Sequence, residues 1–156
     1  LTLLKALNNL KEKINFNLLI IGYGANKKKI KNFIIRNKLS KKVKLMNFQK
    51  NPYKYLAKAK ALVLFSRFEG MPNVVLESMI CKTPVIVSDF EGVEDIVIDK
   101  ETGYIVQRKN IEQLSKAMLF IIQNPNRIQP ISENAYQFAK QLSENSISNY
   151  SLLINK

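Results

Sequence analysis

Two carboxylates eight positions apart, Glu69 and Glu77, flank the run Gly70-Met71-Pro72-Asn73 and are the side chains of this chain best spaced to do chemistry. Glu77 stands in Val74-Val75-Leu76-Glu77-Ser78-Met79-Ile80-Cys81. If that run is helical it is apolar nearly all round, and such a helix is buried. A carboxylate is almost never buried without a partner. On one continuous helix the two acids would lie about 12 Å apart at ~1.5 Å per residue, wider than the roughly 5–9.5 Å of carboxylate pairs that cleave glycosidic bonds. Pro72 suits a first helical turn, so the spacing predicts a helix starting there and Glu69 in the loop before it. The two acids then face one cavity from two heights. Acceptor-only groups of this kind hold polyols by charge-assisted hydrogen bonds. The backbone N–H groups of Met71 to Val74 are orphan donors at a positive dipole end, suited to a phosphate. The plainer alternative is a solvated Glu69 and a Glu77 paired with a Lys or Arg of the core.

These residues need strands and helices to position them, and the apolar periodicity supplies both. Leu4, Leu7 and Leu10 mark an amphipathic helix over 4–13. Residues 17–21 read as a buried strand stopped by Gly22-Tyr23-Gly24. Ile30, Phe33 and Ile34 mark a helix over 27–37, and 43–46 alternate as a short strand. A short helix is expected at 52–59 with Pro52 at its start. Strand 61–65, helix 72–81 and strand 84–87 follow. Residues 93–97 read as a helical turn or short strand, 103–106 as a last strand, and 111–122 as a helix with Leu114, Met118, Ile121 and Ile122 inward. The tail, about 126–153, reads as one or two polar-faced helices able to pack across another domain. Strands alternating with helices imply an α/β fold, a Rossmann-like parallel sheet with helices on both faces and a C-terminal helical tail. A strand, a Gly/Pro loop, a helix and another strand is how such folds hold phosphorylated ligands at strand C-terminal ends.

Composition narrows the chemistry. The 156 residues fit one domain or part of one, and 46% hydrophobic content supports a real core. The chain has no His, so a His general base, a Ser-His-Asp triad and a histidine zinc site are excluded within it. The lone Cys81 excludes a disulfide framework and fits a reducing compartment. No signal-peptide pattern opens the chain, and its apolar runs fall short of a membrane span. The net charge of +13 attracts nucleic acid, anionic lipid or phosphorylated substrates, or else reflects compositional drift toward Lys, Asn and Ile. The dense spots, Lys27-Lys28-Lys29 and Lys41-Lys42, lack interleaved aromatics of the kind that stack on bases, so nucleic acid is not the expected partner.

The stretch from Ser66 to Met79 resembles the E-x7-E signature of the retaining family 4 glycosyltransferases, which have the GT-B fold. Cys81-Lys82-Thr83-Pro84-Val85-Ile86-Val87-Ser88 resembles their CGxPVIas segment, with Lys82 where glycine is usual. Glu91-Gly92-Val93-Glu94-Asp95-Ile96-Val97 resembles GGxxEiv, with Glu91 replacing its first glycine. Thr102-Gly103-Tyr104-Ile105-Val106 resembles TGxLv, and Leu19 to Gly24 resembles iiGxGp without its proline. The likeness runs over about residues 3–122. It implies the C-terminal, donor-nucleotide-binding domain of such an enzyme, with 1–125 as the Rossmann-like domain and 126–156 as its helical tail.

The resemblance also implies roles. Glu69 would hydrogen-bond the donor sugar and Glu77 the ribose hydroxyls, and these two are the catalytic candidates, although neither need be a nucleophile. Gly70, Met71, Pro72, Asn73 and Val74 would bind the distal phosphate. Leu45, Met46, Asn47 and Phe48 would lie against the base, and Gly22 would line the same site. No bound metal is expected, because a helix dipole and basic side chains stabilise the leaving diphosphate. The family's domain opens with a strand ending in a Gly-Arg-Leu turn and a nearby lysine that together clamp the diphosphate. That first strand and its cations, and the N-terminal domain that holds the acceptor, are expected ahead of Leu1. Lys27, Lys28 and Arg67 are candidate replacements for the clamp, with solvated surface charge as the plainer reading. The implied partners are a nucleotide sugar (a UDP-hexose or UDP-N-acetylhexosamine, with GDP-sugars open) and a glycan or lipid-linked acceptor. The implied setting is cytoplasmic, at the inner face of a membrane with anionic lipid in reach, in capsule or lipopolysaccharide synthesis. The isolated chain is expected to be inactive in transfer. A non-catalytic nucleotide-binding module and a basic nucleic-acid binder are the alternatives.

Overall fold

The computed structural model describes residues 1–22, 24–66 and 72–154, with side chains through Glu144. Its elements run α1 (Thr2–Leu10), β1 (Leu18–Ile21), α2 (Lys27–Arg36), β2 (Val43–Met46), α3 (Tyr53–Leu56), β3 (Leu62–Leu64) and α4 (Asn73–Ile80). They continue with β4 (Val85–Ser88), a 3-10 turn (Val93–Asp95), β5 (Tyr104–Val106), α5 (Ile111–Gln123) and α6 (Pro125–Ile154). Every strand pairing is parallel, as continuous apolar strands between helices dictate. The strands form two sheets rather than one: β1 pairs with β2, while β3, β4 and β5 form the second. Leu18 of β1 and Val63 of β3 nevertheless pack on one core with Ile86, Val106 and Leu114. β1 and β3 each therefore keep an edge with no strand beside it.

The helices fix the layers. Leu4 of α1 joins Ile34, Leu39 and Val43, while Ala6, Leu7 and Leu10 turn toward Leu114 and Met118 of α5. Small residues allow that approach: Ser115 Oγ donates to the Ala6 carbonyl at 3.1 Å and to the Ile111 carbonyl at 2.8 Å. On the other side Val75 and Met79 of α4 pack with Val85, Val87, Val97 and with Ala135 and Ala139 of α6. The tail is one helix, one face of whose first half is buried: Ala135 and Ala139 against α4, and Ile128 against α5. Pro125 opens it, where a missing N–H costs nothing.

Two helices stop in the same way. After α2, the N–H of Lys38 donates to Ile35 O and that of Leu39 to Ile34 O; after α4, Lys82 donates to Met79 O and Thr83 to Ser78 O. This paired pattern needs a left-handed residue, usually glycine, and Lys38 (φ 57) and Lys82 (φ 54) fill it instead. Lys82 thus keeps the backbone that a glycine would adopt at this point. Its ammonium lies 2.7 Å from Glu133 and over the Tyr136 ring, so the side chain also ties α4 to α6. Lys38 makes no such contact, and Lys38→Gly should stabilise the chain by about 0.5–1 kcal/mol in a thermal melt. A lower melting temperature would show that the left-handed turn carries no strain.

Candidate functional site

The C-terminal ends of β1 and β2 lie side by side. β1 ends at Ile21 beside Met46 of β2, and Gly22 donates its N–H to the Met46 carbonyl at 3.1 Å. Gly22 has φ 129, a conformation that a side chain resists, and a Cβ built there would meet nothing within 4 Å. The space is a cleft of about 270 Å³ bounded by β1, the start of α2, Leu45 and Met46. Lys27 Nζ closes its rim by donating to Asn47 Oδ1 at 3.3 Å. The loop after β2 is held by its own amides. Gln49 Nε2 donates to the carbonyls of Asn47 and Phe48, and Tyr55 Oη donates to Gln49 Oε1 at 3.0 Å.

The second half of the site is the start of α4. Pro72 precedes Asn73, and among the described residues no side chain caps the helix; its first turn holds no acid. The amides of Asn73 and Val74 stand at the positive end of the dipole, while that of Val75 donates to the Pro72 carbonyl at 2.8 Å. Ser66 is pinned at the end of β3 by Ser88 Oγ, which donates to its carbonyl at 2.7 Å. Ser78 and Thr83 anchor α4 from below, through Ser78 Oγ to Thr83 O and Thr83 Oγ1 to Leu56 O.

Glu77 is half-buried rather than buried. The helix is apolar in composition, but only Val75, Ser78 and Met79 reach the core, and Asn73 and Ile80 are exposed. Glu77 lies between those faces. Among the described residues no Lys or Arg pairs with it, so the core ion pair of the plainer alternative is not seen there. Its neighbour is a phenol: Tyr53 Oη donates to Glu77 Oε1 at 3.5 Å, a long bond that leaves most of the carboxylate's acceptor capacity unused. Burial first, and the Glu77 carboxylate second, push the Cys81 thiol above its ordinary range. That shift lowers the thiolate fraction of Cys81 and with it the thiol's nucleophilicity.

Of the candidate residues, the structure brings Gly22, Leu45 and Met46 to one cleft with Asn47 at its rim. It sets Pro72, Asn73 and Val74 at the uncapped start of α4, with Glu77 one turn further on. Arg67, Glu69, Gly70 and Met71 lie outside the described residues. Lys27, a candidate clamp, is engaged with Asn47. Gln49, Tyr53 and Tyr55 were not legible as site residues, because nothing in their spacing shows that a short helix carries them back toward α4. Among the described residues no cluster of three His, Cys, Asp or Glu could hold a metal ion. Among them also, no helix is long and apolar enough to cross a membrane.

Comparison with known proteins gives one family. The profile of the glycosyl transferases group 1 matches residues 1–138. An uncharacterised glycosyltransferase of Methanocaldococcus jannaschii is 34% identical over 132 residues, covering 83% of this chain and 37% of that protein. The poly(glycerol-phosphate) alpha-glucosyltransferase of Bacillus subtilis is 31% identical over 139 residues, covering 88% of this chain and 21% of that protein. Among solved structures, TarM superimposes with a TM-score of 0.86 at 25% identity, over 99% of this chain and 32% of its own. The chain therefore spans well under half the length of these relatives.

Proposed function

The chain belongs to the group 1 glycosyl transferases, and from that premise we propose that it forms the donor-nucleotide half of a retaining glycosyltransferase. The observation that carries this reading is Glu77. Among the described residues it has no cationic partner; it stands half-exposed, one turn inside a helix that no described side chain caps. That pairing suits a nucleoside diphosphate sugar. The carboxylate accepts two vicinal ribose hydroxyls, and the amides of Asn73 and Val74 meet a phosphate. The cleft behind Gly22, bounded by Leu45 and Met46, takes the base. As the glycosidic bond breaks, charge accumulates on the diphosphate, and fixed N–H donors stabilise it without reorganising. The leaving phosphate itself serves as base for the incoming hydroxyl on the same face, which retains configuration and requires no metal. Glu69 orients the sugar.

The donor is a UDP-hexose or UDP-N-acetylhexosamine. The names of relatives support a hexosyl donor, since the Bacillus protein is an alpha-glucosyltransferase. The acceptor is a glycan or lipid-linked glycan held by a second domain, on the cytoplasmic side of a membrane. Ligand-observed NMR with UDP, GDP and ADP tests the donor reading, with UDP alone expected to bind; silence from all three in a folded sample would contradict it.

The same reading accounts for the divided sheet. A strand ahead of α1, feeding it by a right-handed crossover, would lie between β1 and β3 and pair with both. In a longer chain carrying that segment, the amides of Leu18–Ile21 and Leu62–Leu64 should exchange hydrogen far more slowly than in this one. Equal exchange in both would mean that the edges are satisfied some other way.

A further inference from the structure

Charge is segregated along this chain, and the fold keeps it so. From Lys13 to Phe68 there are 15 Lys and Arg and no Asp or Glu, while from Glu69 onward 8 cations face 11 acids. The ion pairs of the described residues all lie between Lys82 and Glu144. The acid-free stretch builds β1, α2, β2, α3 and β3, so one flank of the domain carries the whole positive excess.

α2 concentrates it. Its inner side is Ile30, Phe33 and Ile34, packed with Leu4, Leu39 and Val43. At the helical period the opposite pole is Lys28, Asn32 and Ile35, with Lys31 and Arg36 beside it. All five are exposed, and Ile35, at that solvent pole, is 58% exposed. Among the described residues no carboxylate pairs with Lys28, Lys31 or Arg36.

We propose that the outward face of α2 docks on an anionic lipid surface. Lys28, Lys31 and Arg36 meet headgroup phosphates, and Ile35 enters the acyl boundary between them. Long basic side chains suit this, since their stems lie along apolar surface while their heads stay at the phosphates. A nucleic acid would reward the cations alone and leave Ile35 facing a phosphate backbone. The surface extends the membrane-side setting proposed above and shares with the candidate donor site only Lys28, a candidate replacement for the clamp. Vesicle binding is read without nucleotide, so failure here leaves the donor reading standing, and the reverse holds too.

The test is co-sedimentation of the chain with phosphatidylcholine vesicles, with and without one third phosphatidylglycerol. Binding is expected only with the anionic lipid, and weaker as salt rises. The triple variant Lys28→Gln, Lys31→Gln, Arg36→Gln should bind at least roughly tenfold more weakly. Ile35→Asn, at unchanged charge, should lose affinity several-fold. Lys100→Gln, Lys109→Gln, Lys116→Gln removes the same charge from the other flank and should stay within about twofold of the parent. These positions are exposed, and circular dichroism of each variant checks the fold. Equal losses in the two triple variants would reduce the effect to net charge and overturn the proposal. So would absence of vesicle binding, an Ile35→Asn variant that binds unchanged, or duplex DNA that displaces the vesicles.

Discussion

Glu77→Gln should weaken UDP binding to this chain by roughly ten- to hundredfold, the range expected when a hydrogen bond to a charged group is lost. The amide keeps the side chain's size and one acceptor oxygen, so the helix should not change; what goes is the charge and the second acceptor. Titration by ligand-observed NMR reads the loss directly. Tyr53→Phe makes a useful contrast. The phenol reaches Glu77 over 3.5 Å and touches the carboxylate rather than the ligand, so its removal should cost only a few-fold. If Glu77→Gln bound UDP as well as the parent, the carboxylate would be a surface acid and the donor site would lie elsewhere. The transfer reaction in a longer enzyme should fall in parallel, because the interaction positions the diphosphate before the bond breaks.

The largest stability effect should come from Gly103→Ala. A Cβ on Gly103 would sit 2.5 Å from Val85 Cγ2, 2.9 Å from Val97 Cγ1 and 3.1 Å from the Val85 carbonyl. None of these atoms is the far end of a flexible side chain: Val85 and Val97 are β-branched and buried in the core around α4. Overpacking of this kind should cost about 3 kcal/mol, a fall of roughly 6–12 °C in melting temperature for a chain of this size. Gly24→Ala, where an added Cβ meets nothing within 4 Å, should be neutral within about 0.5 kcal/mol. A neutral Gly103→Ala would mean that β4 and the 97–103 turn can separate, and that the core around α4 is looser than its burial indicates. The preceding Thr102 works in the same turn, where its Oγ1 accepts the Ile98 N–H at 2.8 Å. The Thr-Gly pair is thus scaffolding for β5 and not part of the site.

Much of the fold was legible because each element announces itself locally. Ile30, Phe33 and Ile34 could only be one face of a helix, and the runs at 18–21 and 85–88 read as strands, but only 85–88 is buried: Leu18 to Ile20 are half-buried and Ile21 is exposed. Two backbone features of the candidate site were legible: a glycine, Gly22, directly after a strand, and Pro72 at a helix start. What was hidden depended on tertiary neighbours. The run 74–81 reads as buried all round, yet Glu77 is half-exposed, because one side of α4 meets α6 and the core while the other stays at the surface. The Tyr53–Glu77 contact joins residues 24 positions apart and leaves no periodic trace. The division of the sheet depends on which strand edges meet, and apolar content carries no such information. Both helix ends were placed within one residue, at 37 and 81, although Lys38 and Lys82 take the left-handed conformation there without glycine.

On the proposed function, Gly22, Leu45 to Asn47 and the start of α4 together hold a nucleoside diphosphate. Amide chemical-shift mapping of the labelled chain during a UDP titration tests it most directly. Saturable shifts are expected at Gly22, Met46, Asn47, Asn73, Val74 and Glu77, with residues beyond Asn110 unmoved. Shifts confined to α2 and its lysines, or scattered over the cationic flank without saturation, would contradict it and leave only nonspecific attraction between a basic surface and a phosphate.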